Sequence, residues 1–228
     1  MSIFAIADVH LSLGVKKPMD IFHGWQDYEK RLEENWRLLV RDEDTVVLPG
    51  DISWGMTMQQ SLPDLQFLDR LPGQKIILKG NHDYWWPTRA KMDAFFEQNG
   101  ISTVRALFHD ALLVEGKALC GTRSWFYEQD EPDEKVFLRE LGRLRMSLEE
   151  AKKLQAEEII AFLHYPPLYQ NFRCEEIISL LKEYGVARCF YGHIHGPSIQ
   201  YAFQGESDGI TFKLVSADSL RFVPYKIG

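Results

Sequence analysis

The chain has 228 residues, 45% of them hydrophobic, and a formal charge of −7. This supports a single domain, residues 1–228, with one sizeable core, and the acidic balance argues against a broad surface for nucleic acid or anionic membrane. No apolar run approaches the roughly 18 residues of a membrane helix, and "MSIFAIADVH" has no basic segment and meets Asp8 too early for a signal peptide, so a cytoplasmic protein is expected. Taken in chain order, the first apolar run is "SIFAIA" (2–7). Tyr28, Leu32, Trp36 and Leu39 then recur at helical spacing before "DTVVLPG" (44–50). A helix over "MQQSLPDLQFLDRL" (58–71), started or kinked at Pro63, leads to "QKIILKG" (74–80). Another follows over "TRAKMDAFFEQNG" (88–100), with Gly100 as its cap.

The middle changes character. "ISTV", "ALLVEG" and "KALCGT" (101–122) read as short strands joined by tight turns, and "EQDEPDEK" (128–135) as an acidic loop, either solvated or lying over the site as a lid. Phe137, Leu141, Leu144, Leu148 and Ala151 mark a long amphipathic helix packed on the domain. "EIIAFL" (158–163) and "ARCFYG" (187–192) are two more buried strands, and "SIQYAF", "ITFKLVSA" and "RFVPYKI" read as strands of the tail. Short apolar runs without alternation fit strands covered on both faces, and strands alternating with helices imply an α/β fold. Cys120, Cys174 and Cys189 form no C-x-x-C pair and read as buried free thiols. Neither they nor the long helix indicates an oligomeric state.

The residues that follow each strand carry the chemistry. "DVH" (Asp8, His10) follows the first, "GDIS" (Asp51) the second and "GNHD" (Asn81, His82, Asp83) the third. His164 in "LHYPP" and "GHIHG" (His193, His195) follow later ones. Ligands of open α/β sheets gather at strand carboxyl ends. A single strand-end Asp or Asn is a common turn cap, but five of the seven histidines of the chain lie in these loops. Imidazole, carboxylate and amide oxygen without thiolate suit Mn, Fe, Co or Zn better than Ca or Mg. More such side chains gather there than one tetrahedral site can use, so two metal ions are expected.

The ordered set D-x-H, G-D, G-N-H-D, H, G-H-x-H resembles the calcineurin-like metallophosphoesterase superfamily, above all its compact bacterial members. The resemblance runs from Asp8 to His195. It implies a two-sheet sandwich flanked by helices, with a dinuclear metal site at the strand carboxyl ends. By motif, Asp8, His10, Asp51 and His195 would hold one ion, and Asp51, Asn81, His164 and His193 the other, with Asp51 bridging. Mn is the expected metal, with Fe or Zn as alternatives. His82 would face the substrate and stabilise charge or protonate the leaving oxygen, with Asp83 orienting its ring. The two ions would activate a bridging hydroxide for in-line attack on phosphorus.

The chain also departs from the superfamily's protein phosphatases, which carry G-D-x-x-D-R-G and G-N-H-E. "GDISWG" lacks their phosphate-clamping arginine. A phosphodiesterase acting on a small phosphate ester is therefore the expected function. The alternatives are a phosphomonoesterase on a small metabolite, a nuclease, or a non-catalytic scaffold on the same fold. Trp25, Trp54, Trp85 and Trp86 could stack on a nucleobase, although packing is the commoner fate of tryptophan. Arg89, Arg123 and Arg173 could bind phosphate, and Tyr165 could line the pocket.

Overall fold

The computed structural model describes residues 1–125 and 134–227. The part of the acidic loop at 128–133, and with it the lid reading, lies outside the described residues.

Two mixed sheets face each other. The first comprises β1 (Ile3–Ala5), β2 (Thr45–Pro49), β3 (Gln74–Leu78), β4 (Val104–Ala106) and β13 (Tyr225–Lys226), in the order β13-β1-β2-β3-β4. The second comprises β5 (Ala111–Val114), β6 (Lys117–Thr122), β7 (Glu158–Leu163), β10 (Val186–Tyr191), β11 (Gly205–Ser207) and β12 (Ile210–Leu214), in the order β11-β12-β10-β7-β6-β5. The strands that end at the site, β1, β2, β3, β7 and β10, all run parallel to a neighbour within their sheet. A hairpin of β8 (Leu168–Tyr169) and β9 (Phe172–Arg173) stands apart.

Alternation along the strands divides the core. Ile3, Ala5, Val47, Ile76 and Leu78 from one sheet meet Leu119, Ile160, Phe162 and Phe190 from the other. On the outer face of the first sheet, Phe4, Val46, Leu48 and Ile77 pack under α1 (Tyr28–Leu39), α2 (Met58–Asp69) and α3 (Arg89–Gln98). The second sheet is covered by α4 (Glu134–Lys153) and α5 (Glu175–Glu183). The uninterrupted apolar runs follow from this: every central strand is covered on both faces.

The helix readings hold with two adjustments. Leu39 ends α1 but is exposed, so the buried stripe is Tyr28, Leu32 and Trp36. Pro63 lies inside α2, whose N-terminus is set instead by Thr57 accepting from the Gln60 amide. Gly100 follows α3 with φ +66°, as a cap requires. "SIQYAF" is not a strand: 3₁₀ turns run from Gly196 to Tyr201, started by Pro197. Helix α5 and the β8–β9 hairpin were not anticipated. In the former, "EEIISLLKE" is short, although Ile177, Ile178, Leu180 and Leu181 lie on one buried helical face.

The three thiols are free and buried. Burial pushes the Cys120 thiol up to about 12, Cys174 up to about 11, and Cys189 higher still. Thiolate is the reactive form, so a chromogenic disulfide reagent is expected to label none of the three in the native protein within minutes and all three after denaturation. A fast-reacting thiol in native protein would contradict this arrangement.

Candidate metal centre

The strand-end loops converge as their spacing implies. Four candidate ligands adopt left-handed backbone: Asp8 (φ 57°), His10 (43°), Asp51 (53°) and His193 (72°). Such conformations cost L-residues roughly 1–2 kcal/mol each and cluster where a site over-determines the chain. The tight approach of these loops also explains two motif glycines. A Cβ at Gly80 would run into Asp51 Oδ1 and its amide, and one at Gly192 into Asp8 Oδ2.

Asp8 is fully buried and accepts from the His193 amide through both oxygens, at 3.0 and 2.9 Å. His195 Nε2 lies 3.5 Å from Asp8 Oδ1 and 3.3 Å from His10 Nε2. Asp51 Oδ2 sits 3.6 Å from His10 Nε2 and also 3.6 Å from His164 Nε2. Asn81 Oδ1 stands between His164 Nε2 (2.6 Å) and His193 Nδ1 (3.0 Å). All seven expected ligand side chains therefore meet at one place. Two groups, Asp8–His10–His195 and Asp8–Asp51–His164, have donor atoms within 4.8 Å of one another. Asp8 thus borders both halves, where the motif resemblance placed it with one ion alone.

The chemistry of this donor set fits cations. The carbonyl of Pro49 can only accept, so His164 Nδ1 donates to it at 3.1 Å and leaves Nε2 as a lone pair. Burial pulls the His164 pKa down to about 3, so the ring is neutral at pH 7. Its Nε2 then faces two further acceptors, Asn81 Oδ1 and Asp51 Oδ2. Three carboxylates, Asp8, Asp51 and Asp83, are buried together; burial first, and then Asp8 and Asp83, drive the Asp51 pKa well up. His10 Nδ1 is buried with no hydrogen-bond partner among the described residues. Against the pull of burial, Asp8 and Asp218 raise His195 to about 10. A metal ion competes with that proton, so its affinity rises with pH.

The supporting residues were less legible. Asp218, which no motif suggested, faces His195 Nδ1 at 3.2 Å and accepts from the Gly196 amide at 2.8 Å. Its signal was present all the same: it follows the run "ITFKLVSA" just as the other acids follow their strands. Asp64 of α2 accepts from the Leu13 amide (2.8 Å) and the Ser53 hydroxyl, tying the loops after β1 and β2 together. Asp83 has a structural task beyond the one expected of it. Fully buried, it accepts from the amides of Gly80 (2.8 Å), Asp51 (2.9 Å), Ile52 (2.9 Å) and Ser53 (3.2 Å) and from the Trp85 indole (3.0 Å). It thereby carries the loop that presents Asp51.

His82 donates its amide to Asp51 Oδ1 at 2.8 Å, and its ring lies 4.6 Å from Trp54 and 5.7 Å from His10. A cleft of about 990 Å³ opens here, with His10, His82 and His195 at its base and Met19, Phe22, Trp25 and Trp54 among its walls. Trp25 and Trp54 line this cleft, whereas Trp85 packs in the core. Trp86, Arg89 and Arg123 line a second, separate cleft. Arg173 pairs with Glu175 and Asp208 on the surface, and Tyr165 is buried with its ring 4.5 Å from that of His193.

A sequence model of calcineurin-like phosphoesterases matches residues 1–197. No curated protein sequence matches the chain. Among solved structures, a phosphopantetheinyl hydrolase from Mycobacterium tuberculosis aligns with TM-score 0.59 and 15% identity, covering 99% of this chain and 95% of that one. A protein of unknown function from Aquifex aeolicus aligns with TM-score 0.51 and 14% identity over the same shares. At these identities the structural likeness speaks for the fold. No helix among the described residues is long and apolar enough to cross a membrane.

Proposed function

The chain belongs to the calcineurin-like phosphoesterase family, and from that premise we propose that it is a phosphodiesterase acting on a small phosphate ester through two divalent metal ions. It is a metal-dependent phosphoric ester hydrolase; substrate class and metal pair are what the proposal adds. The observation that carries it is the cleft at His10, His82 and His195. A diester has a second organic arm that a monoester lacks, and walls of Met19, Phe22, Trp25 and Trp54 offer that arm apolar surface.

In this reading Asp8, His10, Asp51 and His195 hold one ion, and Asp51, Asn81, His164 and His193 the other, with Mn favoured by the mixed nitrogen and oxygen set. When bound, such ions supply Lewis acidity toward a phosphoryl oxygen and lower the pKa of water. The protein side chains do the rest. His164 is held by Pro49 and His195 by Asp218, so each ring presents Nε2. His82, at the base of the cleft, protonates the departing ester oxygen. Lys17 supplies the cation that the missing arginine would have brought: it lines the same cleft, with Nζ 3.1 Å from the centroid of the Trp54 ring.

Hydrolysis of a chromogenic diester and of its monoester by chelator-stripped protein reloaded with Mn²⁺ tests the reading. Metal-dependent cleavage favouring the diester is expected; a tenfold preference for the monoester would overturn it in favour of a phosphorylated metabolite. Lys17→Met is expected to raise KM for the diester by roughly tenfold, the worth of one charge-assisted contact, with a smaller change in kcat. An unchanged KM would remove Lys17 from the phosphate site.

A further inference from the structure

A second cleft, of about 840 Å³, opens between α3 and α4. Six cations line it: Lys79, Arg89, Lys91, Arg123, Arg139 and Arg143. Two carboxylates answer them. Asp110 takes Arg89 at 2.7 Å. Glu140, with 2% of its side chain exposed, takes Arg143 at 2.7 Å, Arg123 at 3.3 Å and Arg139 at 3.7 Å. Among the described residues neither Lys79 nor Lys91 forms an ion pair. Among the described residues, six cations against two ion-paired carboxylates leave an excess of four positive charges, in a chain whose net charge is −7.

Three guanidiniums with five N–H donors each converge on the single carboxylate of Glu140, which cannot satisfy them all. Glu140 therefore fans the arginines around one point and leaves most of their donors for another acceptor. An anion bound there would relieve the repulsion and satisfy the donors together.

The cleft adjoins the metal centre. Leu78 and Lys79 line it at the end of β3, and Asn81 follows two residues later, at most ~7 Å along the chain. At the end of β6, the carbonyls of Thr122 and Arg123 accept from the amides of His164 (3.2 Å) and Tyr165 (3.0 Å). The apolar cleft meets the same centre through His10, His82 and His195 instead. A bound ester would therefore have an apolar wall for one arm and a cationic one for the other.

We propose that the cleft between α3 and α4 binds a second phosphate of the substrate, carried on the arm opposite the apolar one. This rests on the diester reading above and narrows it: the substrate is an asymmetric ester with a further phosphate on one arm and an apolar or aromatic group on the other.

Calorimetric titration of chelator-stripped protein with inorganic pyrophosphate at about 0.1 M salt tests the cleft without turnover. Saturable binding is expected, retained in Asp51→Asn and weakened about tenfold in Lys79→Gln/Arg143→Gln. It should be restored in Lys79→Arg/Arg143→Lys, with melting curves showing each variant folded. Absence of binding, indifference to the double substitution, or loss in Asp51→Asn would overturn the proposal. So would binding that appears only when Glu128, Asp130, Glu131 and Asp133 become amides, since the cleft would then serve the chain's own acidic segment. Pyrophosphate binding needs no hydrolysis, so failure of the diester reading shows separately, in the diester and monoester assay.

Discussion

Asp51→Asn is expected to lower kcat/KM for the diester by on the order of 10³-fold and to reduce bound metal in the reloaded protein. Asp51 Oδ2 lies 3.6 Å from both His10 Nε2 and His164 Nε2, so it borders the two halves of the donor cluster, while its other oxygen accepts from His82. The amide keeps the shape and removes the charge. Lewis-acid stabilisation of a phosphoryl transition state is worth several kcal/mol, and about 4 kcal/mol corresponds to the stated loss. Replacing His10, which touches one half, should cost less. Stability should move the other way. Burial and the nearby Asp8 and Asp83 make the charged form of Asp51 unfavourable without metal, so the stripped variant should melt at or above the stripped wild type. Metal analysis, kinetics and a melting curve check all three. Wild-type metal content with wild-type activity would remove Asp51 from the bridging position.

Asp83→Ala should instead collapse the fold. It would leave four backbone amides and the Trp85 indole, all served by one fully buried carboxylate, without an acceptor. Each unsatisfied buried donor costs about 1–3 kcal/mol, and a total of roughly 5 kcal/mol or more is comparable with the whole stability of many domains. For a chain of this size the melting temperature should fall by about 10–20 °C, or soluble protein should be lost. Asp83→Asn, which keeps one acceptor, should be milder. A melting temperature within about 3 °C of wild type for Asp83→Ala would refute the account. Together the two substitutions separate residues that serve the chemistry from one that holds the loop, although both belong to adjacent motifs.

The candidate ligands were legible because a buried parallel strand is an apolar run, and its end is where polarity returns. Asp8, Asp51, Asn81, His164 and His193 all stand at such boundaries. Asp218 stood at one too, yet a lone aspartate after a strand looks like a turn cap until His195 is found 3.2 Å away. The reading of "SIQYAF" failed for a related reason. Its apolar residues suit a strand, but the site needs His195 to enter a turn, and Pro197 starts the 3₁₀ segment. Lys75 in "QKIIL" is another case. It lies wholly inside, with Nζ donating to the carbonyls of Asp69, which ends α2, and of Leu71 and Gly73 beyond it, a pairing no local pattern encodes.

The sequence by itself determined most of the strand-and-helix order, the candidate ligand types at each strand end and the missing arginine, because each rests on neighbours in the chain. Only the tertiary structure decided which distant groups face one another. Asp83 serving the Asp51 loop, Asp218 behind His195, and Lys79, Arg123 and Arg143 around Glu140 all depend on strand order across two sheets. Such contacts follow from burying both faces of β3, β6 and β7 at once, a constraint that acts on the whole packed chain and on no short stretch of it.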